Sequence, residues 1–187
     1  MFDSSGSSRK FNKQAQRSRQ MITDGLFALM ENEKYELITI SQICQESGVA
    51  RQTFYRNFDS KQDIIISCIE TRLKDYADKN SFGENFEKNL RILFADYPIL
   101  PYLLSILEKN GLMYMLEDSC LEFMKYVMER IEIPKLLHSS KYDDFFHSYI
   151  VSTVLSILSV WIKHDYKESA EELSAISIQL FRSTAKM

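Results

Sequence analysis

Three observations predict an all-α protein. Apolar residues recur three and four positions apart over long stretches, the spacing of one helix face. Alternating Val- and Thr-rich runs, the mark of half-buried strands, are absent. Only three Pro and five Gly interrupt the 187 residues, so few points force a break. Hydrophobic residues make up 45% of the chain, enough to bury a core and to exclude wholesale disorder. The length suits a small head followed by a larger helical body.

Residues 1–17 are polar, SSGSS and then RKFNKQAQR, and read as an irregular, flexible arm. Arg9, Lys10, Lys13 and Arg17, with Arg19 just beyond, place positive charge ahead of the first helix. Two readings stay open: an arm that lies on phosphates or enters a minor groove, or a terminus that is merely soluble. The first helix is expected from about Ser18 to Asn32, with Ile22, Leu26, Leu29 and Met30 as its buried stripe. Gly25 stands mid-helix, where it costs roughly 1 kcal/mol against Ala. Such a Gly suggests that a second helix crosses closely there.

Residues 39–61 form a pair of short helices around a tight turn. Thr39 caps the first, and Gln42 three residues on completes a capping box. Ile40, Ile43 and Cys44 share one face, and Ser47-Gly48 ends the pattern at a residue that takes a left-handed turn without steric cost. In the second helix Phe54 and Phe58, four apart, face inward. Arg51, Gln52, Thr53, Tyr55 and Arg56 are left pointing out. Guanidinium and amide groups can bind base edges in pairs of hydrogen bonds, while hydroxyl and ammonium groups hold phosphates. Ser60, with Asp63 three residues on, starts a fourth helix that runs to about Lys79 with Ile64, Ile65, Cys68, Ile69 and Leu73 as its apolar positions. Asn80 to Glu84 is the expected break. The head is thus 18–62, and the body 63–187.

The body reads as helices over about 84–96, 101–110, 112–131, 142–164 and 169–185. Aromatic and sulfur residues are dense from 86 to 128: Phe86, Phe94, Tyr97, Tyr102, Met113, Tyr114, Met115, Phe123, Met124, Tyr126 and Met128. They suit either a deformable chamber for an apolar or aromatic small molecule or ordinary core. Ile150, Val154, Ile157, Leu158 and Trp161 keep helical spacing in the fourth body helix, beside Ser148, Ser152, Ser156 and Ser159. Leu173, Ile176, Leu180 and Phe181 make a second stripe in the last. Two such helices from each of two chains would form a four-helix homodimer interface; the same stripes could also pack within one chain.

Formal charge is uneven. Residues 1–61 carry nine Lys or Arg against seven Asp or Glu, and residues 62–187 fourteen against nineteen. A slightly basic head on an acidic body suits a protein that meets nucleic acid at one end. Cys44, Cys68 and Cys120 share no ligand spacing and read as small buried apolar residues. His138, His147 and His164 are scattered, and His147 with Asp143 or Asp144 would make at most half a metal site. No phosphate-binding Gly loop, nucleophile elbow or paired-Cys site is present, so neither catalysis, cofactor nor metal is expected. With no signal peptide or 18-residue apolar run recognised, the chain is expected to be cytoplasmic, reduced and away from membranes.

Thr39-Ile40, Gly48-Val49, the run Thr53-Phe54-Tyr55-Arg56-Asn57-Phe58 and Ser60-Lys61 resemble the DNA-binding domain of the TetR family of bacterial transcriptional regulators. Ser18-Arg19 with Ile22, Leu26 and Leu29 resembles that family's first helix, so the specific likeness covers residues 18–65. Ala50 departs from it, because the family often has a small polar cap there. Trp161-Ile162-Lys163 and Glu168 to Leu173 look like the C-terminal domain of a Firmicutes-type branch. The resemblance implies a homodimeric repressor of a palindromic double-stranded DNA operator, switched by an effector held in the body. Arg51 and Gln52 would read bases; Thr53, Tyr55, Asn57 and Lys61 would hold the backbone; Thr39 and Ser41 would add contacts, and Arg56 could do either. Lys61→Ala is then expected to flatten the salt dependence of binding. The alternative is a co-activator that works through a protein partner.

Overall fold

The computed structural model describes residues 5–79, 86–95, 101–128 and 143–184, without the side chains of 5–13, 79, 86, 95, 101, 126–128, 143 and 184. Among the described residues the regular structure is helical throughout. The chain divides into two compact units, Met1–Cys68 and Ile69–Met187. The division falls inside the fourth helix rather than after Gln62, because the first turns of that helix bury Ile64 and Ile65 with the head.

In the head, α1 spans Ser5–Met30, starting well ahead of Ser18. The polar stretch is helical, not irregular: after Gly6 it holds Lys, Arg, Gln and Ala, which favour helix, and a helix without an apolar stripe leaves no periodic signal. Ile22, Leu26, Phe27 and Met30 are buried. At Gly25, α1 crosses α2 (Ile40–Ser47), and a Cβ there would lie 3.0 Å from Ser47 Cβ and 3.1 Å from Ser47 N. Ser47 is buried, and its hydroxyl donates to Ile43 O at 2.6 Å, so this tight crossing leaves that hydroxyl satisfied. A 3-10 turn, Tyr35–Leu37, precedes α2. The capping box at Thr39 and Gln42 is present, and Gly48 closes α2 at φ 66, ψ 24.

The next helix, α3, is Arg51–Tyr55, five residues long. Its Ala50 cap makes no side-chain hydrogen bond, so it leans on Phe54 and Phe58, both buried. α4 (Lys61–Lys79) starts as expected: Asp63 Oδ2 accepts from Asp59 N and Ser60 N at 2.9 and 3.2 Å, and Ser60 Oγ accepts from Asp63 N at 3.2 Å.

The body contains α5 (Phe86–Ala95), α6 (Pro101–Lys109), α7 (Met113–Met128), α8 (Asp143–Lys163) and α9 (Ala170–Thr184), close to the expected ranges. The break at Asn80–Glu84 lies outside the described residues. α5 packs on α9, where Arg182 pairs with Glu87. α8 packs on α6, α7 and α9. The core holds Leu90 and Phe94 of α5, Leu103, Leu104 and Leu107 of α6, and Met115 and Leu116 of α7. Residues 144–163 of α8 have a mean hydropathy of 1.7 and are long and apolar enough to cross a membrane by length and composition. That corrects the expectation of no such run; in the fold this helix buries Ile150, Val151, Val154, Leu158 and Trp161.

The corner between α8 and α9 is closed by the residues that carried the C-terminal resemblance. Trp161 Nε1 donates to Glu168 O at 2.9 Å, and its ring meets Tyr166 edge-on at 5.0 Å. Ser169 and Glu172 form a capping box for α9. Between them Asp165 and Tyr166 lie at φ 53 and 57.

Candidate nucleic-acid interface

A helix of five residues cannot hold its own shape in water, so α3 is as well placed as its anchors. Phe54 is its root: no surface of the residue is exposed, and its ring lies 5.4 Å from Tyr55 and 6.3 Å from Phe58. On the opposite side Arg51, Gln52, Tyr55 and Arg56 are exposed, Tyr55 by 51%. Thr53 is half-buried, and Ser41 of α2 is exposed. The outward face therefore offers two guanidinium groups, one amide and one phenol. These are donors and acceptors suited to base edges and phosphates in a duplex groove.

Three expected contact residues are committed within the head. Lys61 Nζ donates to Tyr35 O at 2.5 Å, Glu36 O at 3.1 Å and Ile38 O at 2.9 Å, and stands 4.3 Å over the Tyr35 ring. All three ammonium N–H groups are used on carbonyls of the 3-10 turn, so Lys61 braces that turn instead of holding phosphate. Burial holds its pKa below the ordinary value, against the pull of Glu36. Lys61→Ala is now expected to lower the stability of the head by about 1–2 kcal/mol, measured by urea titration, and to leave the salt slope unchanged. A slope reduced by about one unit would restore the phosphate role. Thr39 is the second: its hydroxyl donates to Gln42 Oε1 at 2.8 Å, leaving no proton for a phosphate oxygen. Asn57 is the third: one N–H of its Nδ2 donates to Thr53 O at 2.7 Å, and its backbone carbonyl accepts from Arg19 Nη1 at 2.7 Å.

Arg19 is the residue that the sequence reading misplaced. Counted with the charge of the arm, it is in fact partly buried, with Nη2 donating to Ser67 Oγ at 2.6 Å and its guanidinium 4.3 Å over the Phe58 ring. Spacing held the signal. Arg19, Ile22, Leu26 and Met30 fall on one face of α1, so the cation continues the buried stripe.

The expected chamber residues differ in burial. Phe94 is fully buried, Met113 and Met124 are half-buried, and the ring of half-buried Phe123 lies 6.5 Å from that of Tyr76 of α4, tilted by 56°. Tyr102 and Tyr114, each 52% exposed, stand on the surface of α6 and α7. Dense aromatic composition did not reveal that the faces opposite them carry the leucines. The side chain of Phe86 and all of Tyr97 lie outside the described residues.

The expected dimer stripe also needs correction. Ile150, Val154, Leu158, Trp161 and Leu173 are buried inside the subunit, and Ile157 and Phe181 are half-buried. Only Ile176 and Leu180 of that set are exposed. The outward apolar residues of α8 are Phe145, 76% exposed, with Tyr149 and Val160. Tyr149 meets Phe181 of α9 at 5.8 Å, and Ser152 donates to Glu117 at 2.7 Å within the chain. α8 carries two apolar faces, and the reading chose the inner one. His147 is buried. Among the described residues no three His, Cys, Asp or Glu are grouped to hold a metal ion.

Burial pushes the Cys120 thiol from 9.0 up to about 12, with the charge of Glu117 adding. The folded state therefore disfavours the thiolate. The associated stability is intact below pH 9 and is lost as pH rises toward 12. At pH 8, native Cys120 should react with iodoacetamide more slowly than free cysteine, because less of it is thiolate; a rate like that of the free thiol, read by mass spectrometry, would contradict the raised pKa.

Two short helices joined by a left-handed glycine, the second with a polar outer face, are the architecture of a helix-turn-helix DNA-binding protein. Residues 22–68 match the bacterial regulatory proteins of the tetR family, and residues 80–183 match a transcriptional regulator C-terminal region. The chain belongs to the TetR family of bacterial transcriptional regulators. It is similar to the HTH-type transcriptional regulator AlkX of Mycobacterium tuberculosis, 26% identical over 100 residues that cover 48% of this chain and 46% of that one. It is also similar to the HTH-type transcriptional regulator SAB2452 of Staphylococcus aureus, 28% identical over 110 residues and covering 56% of each. The chain thus spans about half the length of the curated relatives it matches. Among solved structures, Lin0861 of Listeria innocua matches with a TM-score of 0.76 at 16% identity, covering 91% of this chain and 92% of that one. The fatty acid degradation regulator FadR of Bacillus halodurans matches with a TM-score of 0.53 at 19% identity, covering 88% and 93%. At such identities the likeness shows the fold alone.

Proposed function

We propose that this chain is a cytoplasmic homodimeric repressor that reads a palindromic DNA operator and is released by an apolar or aromatic small molecule. The observation that carries the reading is the outward face of Arg51, Gln52, Tyr55 and Arg56 on a helix rooted by Phe54. Arg51 and Gln52 read bases; Tyr55, Thr53 and Ser41 hold phosphates, and Arg56 serves either. A two-fold protein matches a two-fold site, with half-sites about one helical turn, ~34 Å, apart. The mate covers Phe145, Tyr149 and Val160 of α8 with Ile176 and Leu180 of α9, the apolar side chains that the subunit leaves exposed. The half-buried Phe123, Met113 and Met124 of α7 supply adaptable surface for the effector.

The experiment is selection of bound fragments from random duplex DNA with purified protein, repeated with cell extract added as a source of effector. An inverted repeat should emerge, and extract should weaken binding. Recovery of no preferred sequence, or of one without inverted symmetry, would refute the reading. On the selected site, Arg51→Ala should cost about 1–3 kcal/mol and relax one base position, read by repeating the selection with the variant.

A further inference from the structure

We propose that Arg19 is a positioning residue: from α1 it sets the attitude of α3 on the DNA and makes that attitude answer to α4. The inference rests on the reading of α3 as the base-contacting helix. Three groups meet on one guanidinium. Nη1 donates to Asn57 O at 2.7 Å, at the end of the turn that closes α3. Nη2 donates to Ser67 Oγ at 2.6 Å, on α4. The plane stands 4.3 Å over Phe58, one of the two aromatic anchors of α3.

The same turn is tied onward, since Asn57 Nδ2 donates to Thr53 O at 2.7 Å inside α3. A continuous chain of bonds therefore runs from Ser67 through Arg19 and Asn57 to Thr53. α3 has need of it. The helix is five residues long and its Ala50 cap makes no side-chain bond, so its N-terminal end has no such tie. Its axis is set by packing at Phe54 and by this clamp at its other end. Ser67 lies beside the point, between Cys68 and Ile69, where α4 passes from one compact unit to the other. Besides the polypeptide between α3 and α4, a displacement of α4 there reaches the end of α3 through this side chain. The guanidinium reaches Asn57 O and Ser67 Oγ from two separate nitrogens while its plane faces the Phe58 ring; a lysine ammonium is a single point charge and cannot span the same two acceptors in that geometry.

The test compares wild type, Arg19→Lys and Ser67→Ala on the selected operator and on poly(dI-dC), at a temperature where melting curves show each protein folded. Arg19→Lys is expected to weaken operator binding about 10- to 100-fold, with poly(dI-dC) affinity and its salt slope within about twofold of wild type. Ser67→Ala is expected to show a smaller operator loss of about three- to tenfold, and the double variant no more than Arg19→Lys alone, because both break one chain. If Arg19→Lys does not fold, Ser67→Ala carries the test by itself. Operator affinity equal to wild type in the folded variants overturns the proposal. So does a parallel loss on both DNAs with a shallower salt slope, which marks a direct phosphate contact instead. Failure of wild type to prefer any sequence would remove the DNA-reading function itself, a different outcome from either.

Discussion

Phe54→Ala should abolish operator binding by unfolding the head. Phe54 is fully buried and is the anchor of a helix with no side-chain cap. Removing a buried aromatic ring costs about 3–5 kcal/mol when the surroundings cannot collapse. The surroundings here include the Phe58 and Tyr55 rings at 6.3 and 5.4 Å, which lose their partner together. Whole domains have only about 5–15 kcal/mol to lose, and this unit is a small one. Urea titration followed by circular dichroism should show an early transition for the head and a later one for Ile69–Met187, which has its own core. Phe54→Leu should recover much of the loss. A destabilisation below about 1 kcal/mol for the Ala variant would mean that α3 is held by something other than this ring.

Gly25→Val should be nearly as damaging, for the opposite reason. The missing Cβ would already lie 3.0 Å from Ser47 Cβ and 3.1 Å from Ser47 N, tight enough that a neighbour must give by a few tenths of an ångström even for Ala. Ser47 N belongs to the backbone of α2, so relief requires the two helices to part. Overpacking of this kind costs about 1–3 kcal/mol, and Val sits at the upper end because it adds two further carbons. Ala would gain roughly 1 kcal/mol of helix propensity over Gly against a smaller clash, so Gly25→Ala should fall much closer to wild type. Thermal melts of both variants check the ordering. Equal stability of Gly25→Val and wild type would mean that α1 and α2 do not cross where the structure places them.

The local chemistry of the head was legible from the residues. Thr39 with Gln42, Gly48, and Ser60 with Asp63 act over three or four positions, and each stands in the structure where its spacing put it. Gly25 was legible too, because a glycine inside an apolar stripe has few uses besides a close crossing. What spacing could not carry was the destination of long polar side chains. Lys61 looked like a phosphate ligand because it is a cation in a polar segment, but its acceptors are the carbonyls of Tyr35, Glu36 and Ile38. Nothing in the intervening residues encodes that meeting. Periodicity also failed at α8 for a physical reason. A helix with apolar residues on two sides shows a stripe on each, and only its neighbours decide that Ile150, Val154 and Leu158 face inward while Phe145 and Val160 do not. The polar start of α1 failed in the reverse way, since helix propensity without a stripe is invisible to a search for stripes.

The corner at Asp165 and Tyr166 has a mechanical consequence. Both residues hold a left-handed backbone without being glycine, a conformation that costs an L-residue roughly 1–2 kcal/mol. Part of that cost is offset locally, because Asp165 N donates to Ile162 O at 3.0 Å and Tyr166 N to Trp161 O at 3.1 Å, satisfying carbonyls at the end of α8. What keeps the corner shut is the latch of Trp161 on the Glu168 carbonyl and the seating of Leu173, Ser177 and Ile178. The strain of the corner is therefore shared among several ties, the Trp161 contact at one end of α9 and its packing on α5, with Arg182 paired to Glu87, at the other.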